Sequence, residues 1–177
     1  MTGTAYGGRS ERTLLMLNLL TDNGSVFVHL DWRVGSHVKL VLDEVFGAGA
    51  AQGSASPGFR NEIVWCYSGG GIPRNEIPRK HDTIYWYTKG GSWEFNTQYR
   101  PYSEGTIQRG RTAVKGPNAQ LRIEGTPIND WWPDVKRITS PDDAEKLYYD
   151  TQKSEELLER IISMCSNPGD LVLDCWS

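Results

Sequence analysis

Between Ser25 and Phe46 the hydrophobic period changes once, and no other feature constrains the fold as much. In SVFVHLD (25–31), Val26, Val28 and Leu30 alternate with Phe27, His29 and Asp31, the two-residue period of a strand. From Gly35 to Phe46 the spacing becomes helical, through Val38, Val41, Leu42 and Val45, and Gly47 stops the run. A helix also precedes the strand. Ser10 is placed to cap residues 11 to about 20, Leu14, Leu15, Met16 and Leu17 supply its apolar face, and Asn23-Gly24 ends it. Helix, strand and helix in this rhythm predict an α/β sheet with crossover connections. A chain of 177 residues is long enough for one domain with a hydrophobic core.

The rest of the chain extends this pattern, then interrupts it. GAGAAQGSASPG (47–58) has the composition of a loop. NEIVWCY (61–67) and HDTIYWYTK (81–89) read as strands joined by SGGGIPRNEIPRK, an antiparallel hairpin expected at the edge of the sheet. Periodicity then disappears from residue 90 to 140, a segment rich in Gly, Pro, Trp and Arg that reads as an insertion. Within it, Trp131-Trp132-Pro133 looks like an anchor that packs the insertion back onto the sheet. DDAEKLYY (142–149) reads as a short helical piece. Ser154 is placed to cap a second helix, with Glu155 and Glu156 in its first turn and Leu157, Leu158, Ile161, Ile162 and Cys165 facing inward. Pro168-Gly169 turns the chain into a final apolar strand, Leu171 to Leu173, closed by Asp174.

Charge and cysteine content narrow the functional classes. Nineteen basic against 22 acidic residues give a net charge of −3, so there is no overall basic signal. Locally the balance shifts. Residues 99–123 hold Arg100, Arg109, Arg111, Lys115 and Arg122 against Glu104, whereas residues 142–160 hold seven acids against three bases. Charge alone admits two readings of the basic stretch, a phosphate-binding surface or a solvated loop. Cys66, Cys165 and Cys175 are widely spaced, with no CxxC pair and three histidines in all, which argues against structural zinc or a disulfide framework. No apolar run nears the roughly 18 residues of a membrane span, and the N-terminus has no secretory pattern. A cytoplasmic protein is expected.

TQKSEELLERIISMCSNPGDLVLDCWS, at the end of the chain, resembles the permuted (β-class) DNA amino-methyltransferases of bacteria and phages. In that family a segment of the form TQKP, a helix with LLERII, NPGD, and VLDPF or VLDCF lead into GSGTT. GSVFVHLDWRVGSHVKLVLDEVFG resembles the family's middle strand-and-helix unit, and NEIVWCYSGGG…PRKHDTIYWYTK the hairpin after it. The match runs from about residue 12 to the end, except for the 90–140 segment.

The resemblance implies a Rossmann-like S-adenosylmethionine-dependent methyltransferase fold, α/β and three-layered, incomplete, with a mostly irregular insertion. It implies a catalytic-domain portion over 10–89, a target-recognition insertion over 90–140 and a truncated cofactor-binding portion over 141–177. S-adenosylmethionine would be held by Thr151, Gln152, Lys153, Asp174, Cys175 and Trp176, with Lys153 meeting the methionine carboxylate near the free N–H groups of a helix start. Double-stranded DNA would be met by Arg74, Lys80, Arg100, Arg109, Arg111, Lys115 and Arg122, with Arg79 adding a backbone contact and Asn118 and Gln120 available for adenine. Trp65 and Tyr67 either wall the base pocket or belong to the core. His29 and Asp31 either line the crevice or are ordinary polar residues at its rim. The reaction implied is methyl transfer to the exocyclic amine of a flipped adenine, favoured over cytosine, and it calls for no metal. A homodimer and a restriction endonuclease are among the partners the resemblance admits.

Three departures accompany the match. Ser154 stands at a usual proline, Cys175 at another proline position and Trp176 at a phenylalanine. The catalytic tetrapeptide of the form DPPY is absent from the sequence, so no catalytic residue is assigned, and the chain on its own is expected to be an inactive internal portion. A nicotinamide-dependent Rossmann enzyme would want GxGxxG after the first strand, where WRVGSH has one glycine. A non-catalytic DNA-binding module is the remaining alternative.

Overall fold

The computed structural model describes residues 7–51, 53–112, 116, 119–138, 140, 143–149 and 151–175, with side chains from Glu11 onward. Lys115, Asn118 and Trp176 lie outside the described residues. The elements run α1 (Gly7–Leu19), β1 (Ser25–Leu30), α2 (Gly35–Phe46), β2 (Gly58–Cys66), β3 (His81–Thr88), β4 (Tyr99–Arg100), α3 (Glu104–Arg109), β5 (Thr126–Pro127), β6 (Trp131–Trp132) and α4 (Glu155–Cys165). One sheet has the order β1-β3-β2-β6, and β4 pairs with β5 in a separate two-stranded ladder. β3 is antiparallel to both β1 and β2, so these two are parallel and their carboxyl ends share one edge of the sheet.

Strand periodicity sorts the side chains into two faces. Ile84 of β3 packs with Ile63, Trp65, Trp132, Val135, Leu157 and Met164, under α4. Its neighbours Tyr85 and Tyr87 pack on the opposite face with Val26, Leu42 and Phe46, against which Met16, Leu17 and Leu20 of the α1 region also lie. The result is helices, sheet and helix in three layers. Trp65 and Trp132 are each 1% exposed, and the Trp65 indole N–H donates to the Val135 carbonyl at 2.9 Å. β2 begins where the chain passes tightly behind α2. Gly58 has φ of +102°, and a Cβ there would stand 2.4 Å from the Gly47 carbonyl oxygen, so glycine is required on both counts.

The strands and helices expected at 25–31, 35–46, 61–67 and 81–89 are present with small shifts in their ends. α1 starts at Gly7, which puts Ser10 inside the helix instead of at its cap. The hairpin joins β2 to β3, but β3 is interior because β1 takes its other edge. β2 in turn carries β6, pairing Trp65 with Trp132, so the Trp131-Trp132 pair does anchor the insertion to the sheet. Residues 143–149 form turns instead of a helix. Side chains compete for the backbone there: Gln152 accepts from the Leu147 N–H at 2.7 Å, and Tyr148 takes a left-handed φ of 57°. Ser154 occupies the cap position of α4, yet its hydroxyl donates to the Lys136 carbonyl at 2.8 Å. The Glu145 carboxylate takes the Glu155 N–H instead, at 2.8 Å.

The final apolar run is not a strand. Leu171 is 97% exposed and the segment joins neither sheet. An extended segment is stable only where a neighbour takes its N–H and C=O groups, and β1 and β6 leave it unpaired.

Candidate functional site

In open α/β sheets, ligands gather beyond the carboxyl ends of the strands. The ends of β1 and β2 meet the start of β3 at such an edge. Period two puts His29 with Phe27, Tyr67 with Trp65, and Asp82 with Ile84, all on the α4 face. His29 Nε2 lies 3.0 Å from one oxygen of Asp82, and the Tyr67 hydroxyl donates to the other at 3.1 Å. The Trp65 ring meets both His29 and Tyr67 edge-on at 5.7 Å, which fixes the two donors from behind. The His29 and Asp82 side chains remain 26% and 19% exposed, so the group borders solvent.

Two cations complete it. The Arg137 guanidinium stands 4.8 Å from the centre of the Tyr67 ring. Lys153, at the entry to α4, is half-buried and feels both Asp82 and Arg137. Burial lowers its ammonium pKa, Asp82 opposes that, and Arg137 reinforces it. Burial also pushes the Asp82 carboxyl up, but hydrogen bonds from His29 and Tyr67 outweigh it and hold the group below its ordinary value. The Tyr67 phenol is raised by burial and by the adjacent Asp82 carboxylate.

Of the residues expected around the cofactor, Lys153 joins this group. Its ammonium donates to the Thr151 carbonyl at 2.5 Å. Thr151 is exposed, and the Gln152 amide is engaged with residues 145 and 147. Asp174 lies in exposed, non-strand chain. Cys175 lies against α1 at Arg12, Leu15, Met16 and Leu19, in the layer across the sheet from α4. Asp31 separates from His29, since β1 ends at Leu30. Its carboxylate accepts from the Arg33 N–H at 2.9 Å and pairs with the Arg33 guanidinium at 2.7 Å, opening α2.

The residues expected on DNA occupy two surfaces. Arg100, Arg109, Arg111 and Arg122 surround the β4–β5 ladder and α3, with Arg109, Arg111 and Arg122 exposed. Arg74 and Lys80 stand on the loop between β2 and β3, where the Lys80 ammonium donates to the Gly69 carbonyl. Trp65 is in the core. Sequence reasoning passes over Asp82 and Arg137. HDTIYWYTK puts Asp82 on the face of Ile84, but pairing it with His29 requires knowing that β3 lies between β1 and β2.

A family model described as DNA methylase, of the N6/N4 type, matches residues 9–177. The type II methyltransferase M.BglII of Bacillus subtilis is 28% identical over 165 residues, 88% of this chain and 43% of that protein. M1.MboII of Moraxella bovis is 30% identical over 133 residues, covering 67% of this chain and 49% of its own. The chain spans about half the length of the curated relatives it matches. A crystal structure of an M1.HpyAVI–SAM complex superposes with a TM-score of 0.54 at 21% identity, over 93% of this chain and 63% of that one.

Proposed function

The chain belongs to the N6/N4 DNA methylase family, and from that premise we propose that it is the cofactor-holding and DNA-contacting portion of an S-adenosylmethionine-dependent DNA amino-methyltransferase. The observation that carries the reading is a half-buried ammonium, Lys153, at the carboxyl ends of two parallel strands beside a helix start. Lys153 has one backbone carbonyl acceptor, from Thr151, and no carboxylate within ion-pair distance among the described residues. A cation so placed fits the carboxylate of an amino acid-bearing ligand. Tyr67 and Arg137 offer an aromatic face and a second cation beside it.

When bound, S-adenosylmethionine supplies a methyl group on a sulfonium centre. The chain's own residues bind and orient. Lys153 holds the carboxylate, with Thr151 and Gln152 shaping the entry to α4, and Asp174 belongs to the same cradle in the complete enzyme. His29, Tyr67 and Asp82 fix the floor of the crevice. Arg100, Arg109, Arg111 and Arg122, with Arg74 and Lys80 on the second surface, meet DNA phosphates. The target is the exocyclic amine of adenine, with cytosine as the other outcome base analysis can return. The chain alone lacks the DPPY-type tetrapeptide, so transfer is assigned to the complete enzyme, in the cytoplasm. A second copy of the chain and a restriction endonuclease are the protein partners of this reading.

The test has two stages. Equilibrium dialysis of the chain against tritiated S-adenosylmethionine should show retention that Lys153→Met reduces at least about tenfold. Tritium should then pass into duplex DNA once a DPPY-bearing segment is supplied by fusion or co-expression, with the modified base identified by digestion and chromatography. Retention indifferent to Lys153, or a completed enzyme that labels no base, would overturn the reading.

A further inference from the structure

The turn between β1 and α2 and the loop between β2 and β3 leave the same edge of the sheet as the crevice, and they meet at Trp32. This tryptophan is 50% exposed, although neither element needs it for a core. The Arg79 guanidinium, from the hairpin loop, stands 4.1 Å from its ring centre. Arg33, the next residue in the chain, stands 5.4 Å from the same ring. Each guanidinium has one carboxylate partner: Arg33 Nη1 to Asp31 at 2.7 Å, and Arg79 Nη2 to Glu76 at 2.7 Å. A guanidinium has five N–H donors, so each fork keeps donors for a second anion. Lys80 gathers the Gly69 and Gly71 carbonyls, which closes the hairpin loop on itself. Residues 31–33 and 67–80 together carry Arg33, Arg74, Arg79 and Lys80 against Asp31 and Glu76.

We propose that this junction is a second DNA-backbone contact, in which the Trp32 indole holds Arg33 and Arg79 as a paired phosphate grip at the mouth of the crevice. The inference rests on the methyltransferase reading and deepens it. Planar cations stacked on an indole lose little further freedom on meeting an anion, and arginine forks match phosphate oxygens in pairs. Trp32 is therefore a positioning residue, and the two arginines make the contact. The surface reads phosphate and not sequence, so it would bind duplexes of unrelated sequence equally.

Fluorescence anisotropy of the full chain with a labelled 30-base-pair duplex, over a KCl series, tests it. Arg33→Gln with Arg79→Gln should weaken binding at least about fivefold and make the slope of log affinity against log salt shallower by about 1.8, roughly 0.9 for each phosphate no longer neutralised. Trp32→Leu, which keeps both charges, should weaken binding while leaving most of the slope, and Trp32→Phe should restore it. Thermal melting of each variant separates a weakened grip from a disrupted fold. If the unaltered chain binds but the double variant keeps its affinity and slope, the grip is overturned and the methyltransferase reading stands. Weaker binding of the double variant with an unchanged slope, or an RNA hairpin outcompeting the duplex, overturns it likewise. Failure of the unaltered chain to bind any duplex sinks both.

Discussion

Asp82 accepts a hydrogen bond on each carboxylate oxygen, from His29 at 3.0 Å and Tyr67 at 3.1 Å, at a point where three strand ends meet. Asp82→Asn keeps the shape but leaves one of those donors facing an amide N–H. The expected cost at pH 7 is about 1–2 kcal/mol, at the low end for a partly solvated group. Because the folded carboxyl is held below its ordinary value, its contribution is present above the unfolded value near 4 and is lost as pH falls through the folded one. Urea midpoints between pH 6 and pH 3 should therefore fall more steeply for the natural protein than for Asp82→Asn. For Lys153 stability also rises with pH, but here it is the charged form that the fold disfavours. Burial disfavours its charged form, so the ammonium costs stability at neutral pH, a cost that fades as pH rises through its lowered value. Lys153→Met should keep or raise the urea midpoint at pH 7 while losing cofactor retention. A marked loss of stability would make Lys153 a structural residue.

Among the contacts that tie the irregular insertion to the regular layers, two stand near its ends. At its start, Asn96 reaches the C-terminal end of α4: its N–H donates to the Met164 carbonyl at 2.7 Å, and its amide to Ser163 at 3.2 Å and Ser166 at 3.0 Å. Asn96 thereby serves the carbonyls that a helix end leaves without intrahelical partners. At its other end Trp132 fills the core beside Trp65, with its indole N–H on the Asn129 carbonyl at 2.6 Å. Trp132→Ala should cost about 3–5 kcal/mol, the range for emptying a large buried site. Asn96→Ala should cost about 1–3 kcal/mol through the stranded carbonyls. Hydrogen exchange gives a sharper distinction. Asn96→Ala should speed exchange in the last turn of α4 and leave β1 and β3 protected, whereas Trp132→Ala should open β2 as well. Equal exchange in both variants would show that the insertion is not anchored this way.

For the molecule as a whole, basic charge is local although the net charge is −3. Arg109 and Arg111 lie at and just beyond the end of α3, both exposed. Replacing both with Ala should weaken duplex binding and make its salt slope shallower by about 1.8, with no change in melting temperature beyond about 2 °C. An unchanged slope in this pair alone would move the DNA surface to the β1–α2 turn and the hairpin loop. Among the described residues no helix is long and apolar enough to cross a membrane.

Local spacing was enough to read β1, α2, β2, β3 and α4, and the family resemblance rested on the motifs quoted from the end of the chain. The alternation in SVFVHLD and HDTIYWYTK, the helical spacing from Gly35 to Phe46 and the acidic first turn after Ser154 act over a few residues, and β1, β3, α2 and α4 formed where those signals lie. Strand order and pairing depend on contacts between residues far apart in the chain, which periodicity does not encode. Only the tertiary structure decided that β3 lies between β1 and β2, that Asp82 therefore meets His29, and that Trp32 gathers arginines from two loops. The same physics explains the element that did not form. Leu171 to Leu173 carry a strand's composition, but a strand also needs a partner, and the segment pairs with neither edge strand, β1 or β6.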